Sequence, residues 1–240
     1  MKEARRRVRP LSKTESRIAV KMNAYVALYN GASCAGWAYV LLLLLSHLAG
    51  GGAPGGVHAV LGEPLKWVQT AALLEVLHAA TGLVRANAAT TAFQVASRLA
   101  IVWPVLHYAA DARASQAVVP LVIAWGVTEV VRYYYFFARE VGIDGYLSGW
   151  LRYSLFPVLY PLGASSEAYL LWRALPTFKA SGMWSITMPN ALNFAFDLHN
   201  VAIVVLVLYP PGLAFMMSHM AAQRKGFLKR HAPASAKKTS

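Results

Sequence analysis

The 240 residues are 57% hydrophobic and only 14% charged, well under the roughly 25% charge of soluble domains, and the mean hydropathy is +0.42. The formal charge of +13 sits at the ends: residues 1–22 hold eight Lys/Arg against two acids, and residues 221–240 hold six against none. A nucleic-acid-binding domain carries its basic residues on a folded face, so this distribution excludes a nucleic-acid partner, and the composition excludes most soluble enzymes; a membrane protein with basic ends remains.

The apolar run that follows the first basic stretch is too long for a signal-peptide core of about 7–15 residues, so it reads as a first membrane span. A helix crosses the bilayer with about 20 mostly apolar residues, and six stretches qualify: 23–48, 65–84, 88–110, 116–138, 146–172 and 190–221. The division expected is a basic tail (1–22), a six-span catalytic membrane domain (23–221) and a second basic tail (222–240). The fold class expected is an all-α membrane protein, a six-transmembrane-helix bundle with a polar intramembrane cavity. The Gly/Pro-rich residues 50–56 form a loop and lack the Lys-Ser/Thr helix start of a phosphate loop. Cys34 is the only cysteine; it permits no intramolecular disulfide, and its place in the apolar first run excludes a thiol nucleophile.

Six spans put both tails on one side, with 14 Lys/Arg against Lys66, Arg113, Arg173 and Lys179 in the loops opposite. By the positive-inside rule both termini are cytosolic. Lys237-Lys238-Thr239-Ser240 resembles the C-terminal dilysine signal that returns membrane proteins to the endoplasmic reticulum, an address read by a receptor on the cytosolic side.

Ionisable residues at bilayer depth cost about 2.5–3.5 kcal/mol each on insertion scales and usually face the bundle interior. Glu75, His78, Arg98, Glu129, Arg132, Arg152, Glu167, Asp197 and His199 all fall in the six stretches. Glu75 and His78 are three apart, as are Glu129 and Arg132, so each pair shares a helix face. Two readings stay open for them: ion pairs that hold helices in register, or groups that support chemistry in the cavity. No third ligand stands at helical spacing beside the histidines, so no metal is expected.

The fifth stretch is the most unusual. Tyr160 and Glu167 are seven residues apart, which returns to within about 20° of one face and separates them by ~10.5 Å of rise. Pro157 and Pro161 lie in the same stretch, each lacking an N–H and crowding the preceding turn. A regular helix is therefore not expected here, and exposed carbonyls at this depth need protein or water beside them.

Several segments resemble one family. They are Tyr29-Asn30 with Trp37, Leu74-Glu-Val-Leu-His-Ala-Ala-Thr-Gly-Leu-Val-Arg85, Thr90-Thr-Ala-Phe-Gln-Val-Ala-Ser-Arg98 and Trp125-Gly-Val-Thr-Glu-Val-Val-Arg-Tyr133. Further along come Trp150-Leu-Arg-Tyr153, Leu159-Tyr-Pro-Leu-Gly163 through Glu167, and Met188-Pro-Asn-Ala-Leu-Asn-Phe194. Together, from about residue 25 to 228, they are similar to the very-long-chain (3R)-3-hydroxyacyl-CoA dehydratases, the protein-tyrosine-phosphatase-like family. The resemblance implies a six-span endoplasmic-reticulum hydro-lyase of fatty-acid elongation. It converts a (3R)-3-hydroxyacyl-CoA to a trans-2-enoyl-CoA and water, without a cofactor and alongside other elongation enzymes. It also implies that Tyr160 and Glu167 are the catalytic pair. Pro157 stands where an aliphatic residue is expected, and Gly126 where a serine is.

Dehydration needs a base for the C2 proton and an acid for the departing C3 hydroxyl, each contributing typically ~10²–10⁴-fold. Glu167 as base with Tyr160 as donor is one assignment; the reverse needs a cation beside a tyrosinate, for which Arg152 and Arg132 are the candidates. Arg152, Glu129, Arg132, Arg98, Glu75 and His78 are expected to support the site or touch substrate, and Arg85 and Arg139, near span ends, to meet the CoA phosphates. The alternative function is a non-enzymatic membrane scaffold or small transporter that uses the polar cavity.

Overall fold

A computed structural model describes residues 13–191 and 193–231, with side chains from residue 24 onward. The terminal Lys237-Lys238 pair lies outside the described residues. Secondary structure is helical apart from one antiparallel bridge between Ile186 and Phe196. In chain order the helices are α1 (Lys13–Ala49), α2 (Val57–Ala71), α3 (Leu73–Ala80), α4 (Ala88–Ala100), α5 (Ala110–Arg113), α6 (Val118–Val141), α7 (Tyr146–Ser154), α8 (Phe156–Ser181) and α9 (Leu198–His231); a three-residue 3-10 turn precedes α2. Among the described residues, three segments are long and apolar enough to cross a membrane: Ala24–Ala49, Ala88–Tyr108 and Leu198–His231. The protein is an all-helical membrane protein. Helices α6 and α8 also have membrane-spanning length, at 24 and 26 residues, but α6 carries Glu129 and Arg132 and α8 carries Glu167, Arg173 and Lys179.

Helix α1 lies along α6 over much of its length. Trp37, Val40 and Leu44 are buried on the shared face, whereas Leu28, Leu42 and Leu45 point outward. That outward apolar surface would be an association hazard in water. In hydrocarbon it is the expected lipid face, and helix association then rests on close packing and polar contacts between helices. Gly126 of α6 illustrates the close packing, since a Cβ there would stand 2.6 Å from Leu41 Cδ2. The departure from serine at this position is thus matched by the leucine that fills the space. The core continues through Val57, Leu61 and Leu65 of α2, Val102, Val105 and Leu106 after α4, Leu121 and Val122 of α6, and Leu170, Ala174 and Phe178 of α8.

Local breaks follow from sequence. The second stretch starts earlier than 65: α2 runs from Val57 through Pro64, turns at Ala72 and restarts as α3, which carries Glu75 and His78. Asn87 caps α4, its side chain accepting from Thr90 N at 3.0 Å, and so satisfies one of the orphan donors of the first turn. After α4 the chain widens into a π-helical segment, Ile101–Tyr108, around Pro104; the wider turn makes room for a ring that clashes in an α-helix.

The fifth stretch differs from expectation. Only a brief break at Leu155, itself in helical conformation, separates α7 from α8, and α8 is regular through both Tyr160 and Glu167. Pro157 stands in the first turn of α8, where a missing N–H is one of the unpaired donors anyway. Pro161 alone sits in the helix body near the site. Asp197, read from sequence as an intramembrane charge, stands just before α9. Its Oδ1 accepts from His199 N at 2.8 Å and Asn200 N at 3.3 Å, as an N-cap does.

Candidate active site

The ionisable residues divide into two groups. Glu75 of α3, Arg98 of α4 and Glu129 and Arg132 of α6 form one network. Arg132 makes a two-pronged contact with Glu75, Nη1 to Oε2 and Nη2 to Oε1, both 2.8 Å. Its Nε donates to Glu129 Oε2 at 2.7 Å, while Arg98 Nη1 donates to Glu129 Oε1. The Tyr133 hydroxyl donates to Glu75 Oε1. Two acids thus face two arginines, every charge is paired, and Glu129 is almost wholly buried, its side chain 2% exposed. Such pairing is what lets charges persist at membrane depth.

His78 is three residues from Glu75 but turns to a different set of partners. Its Nε2 is 2.9 Å from the Tyr25 hydroxyl, and the Tyr29 ring meets it edge-on at 4.8 Å. A narrow pocket lined by Trp37, Gln69, Glu75, Gln94, Arg98, Glu129 and Arg132 has about 20 Å³ of room, enough for about one water. Neither Tyr160 nor Glu167 lines it. A larger hollow of about 510 Å³ among His58, Glu63, His107 and Arg113 carries none of the expected site residues.

The second group is built on α8. Gly163, one turn before Glu167, faces α6: a Cβ there would be 3.4 Å from Ala124 Cβ and 3.9 Å from Glu167 Oε1. This close approach brings the carboxylate against α6 on one side, and α9 lies on the other. Trp125 Nε1–H donates to Glu167 Oε1 at 2.7 Å, and the Tyr209 hydroxyl donates to Oε2 at 3.0 Å. Each oxygen is therefore oriented by a neutral donor, and no cation touches either among the described residues. A carboxylate has about four acceptor positions; two are used here, so Glu167 is held in place with capacity to take a proton.

Arg98 joins the two groups, its guanidinium carbon 5.2 Å from the centre of the Trp125 ring. The same tryptophan thus stacks on a network arginine and donates to Glu167.

Tyr160 stands two turns before Glu167, its ring 6.0 Å from that of Phe156. Its hydroxyl makes no hydrogen bond among the described residues and is open as a donor. Arg152 of α7 makes no hydrogen bond or ion pair with either among the described residues. It is enclosed by the rings of Phe136, Tyr135 and Tyr153, at 4.3, 5.0 and 5.6 Å from its guanidinium carbon. His199 is half-buried at the start of α9. The described residues contain no group of three His, Cys, Asp or Glu able to hold a metal ion.

Trp125 and Tyr209 are the site residues that the sequence did not single out. Each is 42 positions from Glu167, so no helical spacing links them to it. The usable signal was chemical: a Trp or Tyr deep in an apolar span, away from the interface belts, needs a partner for its N–H or O–H.

Residues 69–230 match the model of the family described as protein tyrosine phosphatase-like protein, PTPLA. The chain belongs to this family. Its relatives include the Arabidopsis thaliana very-long-chain (3R)-3-hydroxyacyl-CoA dehydratase PASTICCINO 2, 42% identical over 89% of this chain and 96% of the relative. The Homo sapiens very-long-chain (3R)-3-hydroxyacyl-CoA dehydratase 2 is 37% identical over 85% of this chain and 81% of its own length. The Caenorhabditis elegans dehydratase hpo-8 is 39% identical over 87% and 96%. No solved structure matches the chain. Family members thus carry a dehydratase name, whereas the only cysteine of this chain, Cys34, lies on α1 with its thiol 3.6 Å from the Val130 carbonyl oxygen.

Proposed function

We propose that this protein is a hydro-lyase that dehydrates a (3R)-3-hydroxyacyl-CoA to the trans-2-enoyl-CoA in very-long-chain fatty-acid elongation. The observation that carries the reading is the similarity, over nearly the whole chain, to relatives named for that reaction. Glu167 is the base and Tyr160 the proton donor. Glu167 takes the proton from C2, the C2–H electron pair becomes the C2=C3 double bond, and the C3–O bond breaks. The leaving oxygen receives the Tyr160 proton and departs as water. Glu167 then returns its proton to the Tyr160 oxygen through water, and the enzyme is restored. The reverse assignment needs a cation on the Tyr160 oxygen; no ion pair or hydrogen bond reaches that oxygen among the described residues, which favours Glu167 as base. Trp125 and Tyr209 keep the carboxylate aimed, so its orientation is set before substrate arrives.

The membrane arrangement proposed has six crossings: α1, α2 with α3, α4 with its π-helical extension, α6, α7 with α8, and α9. They enclose a polar cavity that meets the acyl chain, with basic tails 1–22 and 222–240 around a catalytic body 23–221. Both termini are cytosolic in the endoplasmic reticulum, where the chain works beside other elongation enzymes. The tail charges support this orientation. Purified protein in detergent, given a (3R)-3-hydroxyacyl-CoA, is expected to form the enoyl-CoA, followed by absorbance of the conjugated thioester. No product from well-folded protein would leave the scaffold or transporter reading in its place.

A further inference from the structure

At the end of the bundle where α6 stops, α7 starts and α9 finishes, three arginines are anchored on neighbouring residues of α6 and α7, and none pairs with an acid among the described residues. Arg139 and Arg152 lie against one ring, 5.6 and 5.0 Å from the centre of Tyr135. Tyr135 packs against Tyr153 with ring centres 6.3 Å apart. Next to it, Arg224 of α9 donates from Nε to Ser154 Oγ at 3.2 Å. Among the described residues the ion pairs involve Lys66, Arg98 and Arg132 only; the nearby acids in sequence, Glu140 and Asp144, are exposed and pair with none of the three arginines. Arg152 Nη1 is buried with no hydrogen-bond partner, the only such side-chain atom among the described residues.

A guanidinium stays charged in proteins and presents a fork of donors that fits phosphate. Burying one of its N–H groups unpaired is expensive, and no acid offsets the charge of Arg152 among the described residues. Aromatic faces hold Arg139 and Arg152 in place but cannot neutralise them. An anion with several oxygens resolves both deficits, because it accepts from the free N–H and balances the charge.

We propose that Arg139, Arg152 and Arg224 form a phosphate-binding site that holds the nucleotide end of the acyl-CoA while its thioester reaches Tyr160 and Glu167. This rests on the dehydratase reading and adds to it where the substrate's charged end lies. The distances agree. Eight residues of near-continuous helix separate Arg152 from Tyr160, a rise of ~12 Å. The pantetheine arm matches four to five extended residues in length, roughly 15 Å. Arg85, the other sequence candidate for the phosphates, makes no contact with this cluster among the described residues. A lipid headgroup offers the same phosphate chemistry, so the test must separate the two sources.

The full chain, purified in uncharged detergent, is assayed with one 3-hydroxyacyl chain carried either on CoA or on pantetheine, which lacks the phosphates. On the CoA ester, Arg152→Gln, Arg139→Gln and Arg224→Gln should each raise KM about tenfold, the scale of one lost charge-assisted contact, with a much smaller change in kcat. On the pantetheine ester the wild type should already show a high KM, and the substitutions should raise it far less. Arg139 is exposed, so its variant keeps the test sound if the buried Arg152 variant does not fold. Equal effects on both esters, or none on the CoA ester, would overturn the assignment while wild-type turnover leaves the dehydratase reading standing. Loss of phosphatidylserine-micelle binding by the variants with KM for the CoA ester unchanged would assign the site to lipid instead. A wild type inactive on both esters would sink the dehydratase reading itself.

Discussion

The network on α3, α4 and α6 and the polar line along α8 sit side by side, joined through Trp125, yet they are built on opposite principles. In the network, Glu75, Arg98, Glu129 and Arg132 spend their bonding capacity on one another. On α8, among the described residues, Glu167 is steadied by neutral donors only and the Tyr160 hydroxyl makes no hydrogen bond. A charge that is fully paired in a membrane protein stabilises a particular helix arrangement and is chemically quiet. A carboxylate oriented but not neutralised remains reactive. The difference separates two bonding environments that sequence alone treats as one class of intramembrane charge.

The sharpest way to break this comparison is to make the same change in each region. Glu167→Gln keeps the volume and the Trp125 contact, its amide N–H₂ now donating to the Tyr209 oxygen, while removing the proton acceptor. Turnover should fall by ~10²-fold or more, with the apparent unfolding midpoint in detergent near that of the wild type. Glu129→Gln should do the reverse in origin: it leaves Arg98 and Arg132 short of one buried acid, a loss of about 3–5 kcal/mol, read as a sharply lowered midpoint and little monodisperse protein. A Glu129→Gln protein as stable as wild type would mean that the network is not what holds α3, α4 and α6 together.

Smaller effects refine the α8 side. Trp125→Phe removes the donor to Glu167 and shrinks the stacking surface for Arg98. Tyr209→Phe removes only one hydroxyl. A single hydrogen bond of this kind is worth about threefold to tenfold. Tyr209→Phe should therefore lower kcat by that factor with KM little changed, and Trp125→Phe should lower it further. Lys179→Ala, exposed at the far end of α8, should leave kcat and KM unchanged. Equal losses in all three variants would indicate general weakening of the helix instead of misorientation of the carboxylate.

Much of this was legible in the chain. Apolar length marked the three long apolar helices because the bilayer fixes a minimum span, though the second and sixth stretches are displaced from the helices they foretold; the seven-residue spacing of Tyr160 and Glu167 is a property of the helix itself. What could not be read is what tertiary packing decides. Glu75 and Arg132 are 57 residues apart, and spacing says nothing about such a pair. Pro157 misled because its effect depends on where the helix starts: a break at Leu155 turns an expected disruption into a permitted first-turn position. Asp197 was legible in retrospect, since an aspartate just before an apolar run is an N-cap signature as well as a charge.

The most direct test of the central claim, that Tyr160 and Glu167 serve one reaction, is the turnover of Tyr160→Phe, Glu167→Gln and the double variant, on protein of wild-type folding. Residues that act as one unit give grossly non-additive losses. Each single variant should lose ~10²-fold or more, and the double variant should be scarcely worse than the poorer single one. Near-normal turnover in either single variant, or losses that multiply in the double, would contradict the account.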